Sequence, residues 1–172
     1  MKMSSKVFLL ASSFLFPFLC NAAEIKLTPV QNFNVEKYTG KWYEIARTEN
    51  RFEKDCSNVS ANYSLNKDGT LRVVNNALLN GKKKIADGKA RFVGRSNVGA
   101  LKVTFFWPFQ GNYNVFYVDE GYQNAIVGDT NKGYLWILSR QKNLDAKTLN
   151  FLIEKIKLSG VDVQKLIYVK HD

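Results

Sequence analysis

Few groups in this chain could do covalent chemistry, and they are badly placed to do it together. The one histidine, His171, is the penultimate residue, so no serine or cysteine nucleophile has an internal imidazole to take its proton. No cluster of His and Cys has metal-ligand spacing, and no glycine-rich phosphate loop follows a strand. Asp119 and Glu120 are adjacent, fall in a turn and, as neighbours, point to opposite faces. Glu44 is different. Two residues from Trp42 on an extended segment, it shares that ring's face and should point inward, to pair with a buried base or hydroxyl. A second catalytic partner for it is not identifiable. The pattern argues against an enzyme and implies no cofactor and no metal.

What remains is the chemistry of apolar contact. Val59, Ala61, Tyr63 and Leu65 alternate with Ser60, Asn62 and Ser64; Leu71, Val73 and Ala77 with Arg72 and Asn76; Leu101, Val103, Phe105 and Trp107 with Lys102 and Thr104. Period two with one apolar and one wet face is the signature of a single-layer β wall. The spacing predicts eight strands, at 41–48, 58–66, 70–78, 84–93, 100–107, 112–119, 122–129 and 134–140. Short polar turns separate them, including Lys67-Asp68-Gly69, Asn80-Gly81, Gln110-Gly111 and Asn131-Lys132-Gly133. Such a series suits an all-β, antiparallel up-and-down barrel, because closure removes exposed edges. One amphipathic helix follows. Asp145 can cap it, Leu149, Leu152, Ile153 and Ile156 form one apolar stripe, and Gly160 ends it. It should pack outside the barrel, before a short final strand at 166–169.

The segment from Asn32 to Arg47 carries Gly40-Lys41-Trp42-Tyr43-Glu44-Ile45-Ala46-Arg47. This resembles the signature of the lipocalin family, whose centre is Gly-x-Trp at the start of the first strand. Arg51-Phe52-Glu53, Ala61-Asn62-Tyr63-Ser64-Leu65 and Tyr134-Leu135-Trp136-Ile137-Leu138-Ser139-Arg140 match in order, as in bacterial outer-membrane lipocalins and apolipoprotein D. The resemblance covers roughly residues 30 to 170. It implies a calyx in which Trp42 plugs the closed end, Arg140 stacks across its ring, and Gly40 completes this structural clasp. It also implies a ligand site on the inward positions Ala61, Tyr63, Val73, Asn75, Ala77, Phe92, Val103, Phe105, Val115, Tyr117, Ile126, Trp136 and Leu138. Phe52, on a lid-like loop at 48–57, would meet the ligand at the mouth, with Arg51 and Lys54 near its head group. The implied cargo is a fatty acid, lysophospholipid or similar amphiphile, carried in support of envelope lipid maintenance. The alternative is a barrel filled by its own side chains, working as an interaction or structural protein. A few relatives are enzymes, and Glu44 is where such an activity would reside.

The first residues are a separate unit. Lys2 and Lys6 precede an apolar run from Val7 to Leu19, and small residues follow at Cys20-Asn21-Ala22-Ala23. This is the layout of a secretory signal peptide at 1–22, too short in its apolar run for a membrane-spanning helix. The expectation is export to the periplasm and a single domain over 23–172. Lipidation at Cys20, with attachment to the outer membrane, is the alternative; Phe18 and Leu19 are larger than such a signal favours just before its cysteine. Removal of the signal takes two lysines and no acid, so +8 of the formal +10 charge remains. A basic exported protein has no nucleic acid to meet, which leaves an anionic membrane surface or plain solubility as the use of that charge. Cys56 would then stand alone, an inert buried thiol or an intermolecular link, in a monomer or homodimer.

Overall fold

The computed structural model describes residues 26–129, 131 and 133–172. The expected signal peptide, with Cys20, lies outside them. A four-residue helix, α1 (Val35–Tyr38), is capped by Asn34, whose side chain accepts from the Lys37 amide at 2.8 Å. Eight strands follow: β1 (Gly40–Arg47), β2 (Cys56–Leu65), β3 (Leu71–Leu79), β4 (Lys82–Phe92), β5 (Ala100–Phe106), β6 (Phe109–Val118), β7 (Asn124–Asp129) and β8 (Tyr134–Ser139). Each pairs antiparallel with the next, and β1 pairs with both β2 and β8, so the sheet closes on itself. Helix α2 (Ala146–Lys157), a 3₁₀ turn at Val163–Lys165 and the short β9 (Ile167–Tyr168), which pairs with β1, complete the chain. Asp145 caps α2 as expected, accepting from the Thr148 amide at 2.9 Å.

One expected turn is displaced. Gln110-Gly111 lies inside β6, with Gly111 opposite Val103. The reversal falls instead at Trp107-Pro108, because proline cannot donate into a ladder. Trp107 therefore leaves the face it was expected to share with Phe105 and stands in solvent, 83% exposed.

Two apolar clusters lie on opposite sides of the wall. The inner one gathers Phe33, Tyr38, Trp42, Tyr63, Leu71, Val73, Ala90, Leu101, Val115, Ala125, Val127 and Leu138. The outer one joins Leu152 and Ile156 of α2 to Ile45, Ala46, Phe116, Ile126, Leu135 and Ile137. Burying each large side chain of that stripe contributes roughly 1.5–3 kcal/mol.

Beneath α2 the strict alternation breaks twice. In β1 the register shifts between Glu44 and Ala46, so Ile45 and Ala46 both pack outward. Arg47 then returns to the inner face beside Trp136, its partner across the ladder. In β6 the shift between Val115 and Tyr117 puts Phe116 and Tyr117 outward together, and Val118 returns inward.

These shifts decide where site residues lie. Tyr117, expected inward, sits outside against Phe151 of α2, with ring centroids 5.8 Å apart. Ile126, also expected inward, packs under the helix, while Ala125 and Val127 take the inner positions. Strand β7 is buried almost throughout, so its pattern shows no wet face from which to read direction.

Candidate functional site

The closed end is held by one arginine. The Arg140 guanidinium lies over the Trp42 indole, 3.8 Å from the ring centroid. Its N–H groups donate to the carbonyls of Tyr122, Lys41, Lys37, Tyr38 and Thr39 at 2.8–3.3 Å. Trp42 Nε1 donates to the Tyr38 carbonyl at 2.8 Å. Gly40 makes the approach feasible. Its φ is +92°, and a Cβ there would lie 3.4 Å from Arg140 Nη1.

Above the indole, three phenols converge. The Tyr38 and Tyr63 hydroxyls each bond the Tyr113 hydroxyl, at 2.6 and 2.8 Å. Burial holds all three phenols protonated, with Tyr63 pushed up to about 12. Neutral hydroxyls that satisfy one another can be buried without an ionic partner.

Toward the open end the interior becomes polar. The β1 bulge turns both Glu44 and Arg47 inward, and Arg47 Nη1 donates to Glu44 Oε1 at 2.8 Å. Arg47 Nη2 donates to the Glu53 carbonyl at 2.6 Å. Glu53 is turned into the barrel by its own loop: Asn50 Oδ1 accepts from the Phe52 and Glu53 amides, at 3.1 and 3.0 Å. The Glu53 carboxylate then accepts from Trp136 Nε1 and Asn50 Nδ2, both at 2.8 Å. Burial, followed by the charge of Glu53, holds Glu44 well above the usual carboxylate range, and Arg47 only partly offsets this. The Arg47 guanidinium pairs with the Glu44 carboxylate alone, while the half-buried Glu53 carboxylate is held by Trp136 and Asn50. Among the described residues no three His, Cys, Asp or Glu converge as a metal site would.

The expected site residues fall into four groups. Tyr63, Val73, Val115 and Leu138 are buried in the inner cluster. Ala61, Phe92, Val103, Phe105 and Trp136 pack against that cluster but stay half-buried. Asn75 and Ala77 continue the inward face of β3, Asn75 opposite Ala61, and are also half-buried. Phe52 stands at the rim, 53% exposed, edge-on to Tyr134. Tyr117 and Ile126 lie outside, as described. Gly88 faces Phe105 across the β4–β5 ladder, where a Cβ would come within 2.6 Å of that ring, so only glycine lets it lie against the wall.

Arg47, Asn50 and Glu53 were not assigned to the interior from sequence. Glu53 stood in a matched motif, but its direction depends on the Asn50 turn. Tyr38 and Tyr113 were also missed, being distant in sequence from their partner Tyr63.

A closed antiparallel barrel, plugged at one end and bearing a single external helix, defines a calyx-type binding protein. The sequence matches the lipocalin-like domain family over residues 33–171, and the chain belongs to the lipocalins. It is 42% identical over 154 residues to the outer membrane lipoprotein Blc of Vibrio cholerae, covering 88% of this chain and 90% of that one. Apolipoprotein D of Macaca fascicularis is 33% identical over 148 residues, covering 80% and 77%. Among solved structures, insecticyanin of the tobacco hornworm Manduca sexta superposes with a TM-score of 0.71 at 22% identity, covering 86% of each chain, a likeness of fold.

Proposed function

We propose that the barrel carries one amphiphilic lipid, a fatty acid or lysophospholipid, in the outer membrane–periplasm space of a bacterial envelope and catalyses nothing. One observation carries this reading. Inside a closed sheet, the inward-facing Asn75, Ala77, Val103, Phe105 and Trp136 remain half-buried, although the inward residues nearer Trp42 are sealed. An interior lined by small and aromatic side chains and accessible at one end suits an acyl chain. Asn75 Oδ1 is buried without a partner among the described residues and can accept from a ligand hydroxyl or amine. The carboxyls of Glu44 and Glu53 are taken up by Arg47, Trp136 and Asn50, which leaves them a structural part. The similarity to a protein named as an outer membrane lipoprotein supports export, with or without attachment through Cys20.

The test is to fill the space. Ala77→Phe should weaken binding of a fluorescent fatty acid by about tenfold, or ~1.4 kcal/mol, with the melting temperature unchanged. Saturable binding that survives the substitution would move the cargo elsewhere. A wild-type protein with no saturable binding, and no lipid in native mass spectra, would leave the filled-barrel alternative in its place.

A further inference from the structure

The open end carries aromatic surface that the barrel does not use. At the tip of the β5–β6 hairpin Phe106, Trp107 and Phe109 are 78%, 83% and 76% exposed, consecutive but for Pro108. Contiguous aromatic exposure on this scale marks a contact surface, whereas scattered exposed residues would not. The neighbouring β3–β4 hairpin turns at Asn80-Gly81 at the same end of the barrel. It presents Lys82, Lys83 and Lys84 in solvent, followed by Ile85 at 55% exposure. The lid loop adds Phe52, with Arg51 over its ring at 5.2 Å and the Lys84 ammonium donating to its carbonyl at 2.7 Å. Of the lid acids, Glu53 is turned inward, and Glu49 and Asp55 face solvent.

We infer that these loops form a docking surface for a bilayer containing anionic phospholipid, with Phe106, Trp107 and Phe109 entering the headgroup–acyl boundary and Lys82 and Lys83 meeting phosphates. The geometry favours lipid over a protein groove. The aromatics form a convex tip, and cations flank them on the same end, the pairing of apolar wedge and basic collar that interfacial binding requires. Tryptophan and phenylalanine are suited to that depth, where a ring is half in the acyl region and half wet. Docked this way, the calyx mouth faces the membrane. The inference does not depend on the barrel holding a cargo.

The experiment is flotation of the full chain with phosphatidylcholine vesicles, with and without phosphatidylglycerol. The wild type should partition onto anionic vesicles, and its emission should be quenched by lipids brominated high on the acyl chain. Phe106→Ser/Trp107→Ser/Phe109→Ser should lower partitioning at least tenfold with the melting temperature unchanged. Lys82→Gln/Lys83→Gln should lower it several-fold and flatten its salt dependence. Trp107→Phe should remove most of the bromine quenching and keep the binding. Because every variant keeps the same N-terminus, an anchor there cannot produce these differences. Equal partitioning of wild type and the triple variant would overturn the inference. So would a wild type that ignores vesicles and forms a dimer that the triple variant disrupts, which would assign the tip to a second copy of the chain.

Discussion

In the half of the barrel nearest α1, Trp42, Tyr63, Leu71, Val73, Leu101 and Val115 all lie at 5% exposure or less. Toward the other end Ala77, Phe105 and Trp136 are only half-buried, and the fixed points among them are hydrogen bonds with a loop. The closed half is held by volume and by a guanidinium spread over five backbone carbonyls. The open half is held by Glu53, a side chain delivered by the lid. Packing of the first kind is costly to disturb, because neighbours relax only partly around a void. A network at a mouth can open with a local rather than a global loss of structure. The contrast separates what keeps the barrel shut from what lets it accept a molecule.

The largest effects should therefore come from the closed end. Trp42→Ala removes a fully buried indole and the platform under Arg140, and should cost about 3–5 kcal/mol of stability. Arg140→Ala leaves the carbonyls of Lys37, Thr39 and Lys41 without their donor and should cost about 2–3 kcal/mol. Denaturant unfolding measures both. Affinity for a fluorescent fatty acid, measured on the folded protein, should be unchanged in Arg140→Ala. A loss of affinity without loss of stability would show that the two halves are not separable in this way.

That division was only partly legible in the sequence. Where a strand has one wet face, as in Leu101, Val103 and Phe105 against Lys102 and Thr104, alternation separated the two faces, and the family resemblance told which of them is inward. The apolar stripe of α2 and its Asp145 cap were readable for the same reason. Reading failed where both faces are apolar and a bulge intervenes. Nothing in Ile45-Ala46 or Phe116-Tyr117 shows that two successive residues face outward, and that displacement is what turns Arg47 in and Tyr117 out. Glu53 was unreadable for another reason: its direction is set by an Asn50 side chain bonding backbone two and three residues on. Trp107 continued the apolar alternation of β5 in sequence, and only Pro108 hinted that the strand stops before it.

The interior carboxyls allow a sharper test by pH. Folded Glu44 holds its proton more tightly than the unfolded chain does, so the native state binds more protons above the ordinary value of 4.5. The stability this confers is full below that value and is lost as pH rises through the folded one. The slope reaches up to about 1.4 kcal/mol per pH unit while one proton separates the two states. Glu44→Gln keeps a partner for Arg47 without titrating, so it should flatten the curve above pH 5 and stabilise the protein at the upper end. Urea unfolding of both forms across that range decides it. Parallel curves would mean that Arg47 holds Glu44 ionised, and the mouth would then be fixed by an ion pair as firmly as the closed end is by Arg140.

The smallest effect should be the most local. Trp136→Phe keeps an aromatic ring at the wall and deletes only the Nε1 donor to Glu53. The carboxylate retains Asn50, so the global cost should be about 1 kcal/mol or less. The loop from Thr48 to Asp55, however, loses one of the bonds that draw it into the barrel. Amide exchange at Phe52 and Glu53 should quicken several-fold, with exchange at Leu71 and Val115 unchanged, and fatty-acid association should speed up with it. Arg140→Ala should do the reverse, raising exchange in the closed-half strands through global opening and leaving the lid no faster than that opening requires. If Trp136→Phe instead accelerated exchange uniformly, the lid would be part of the cooperative core, and access to the interior would have to be sought between strands.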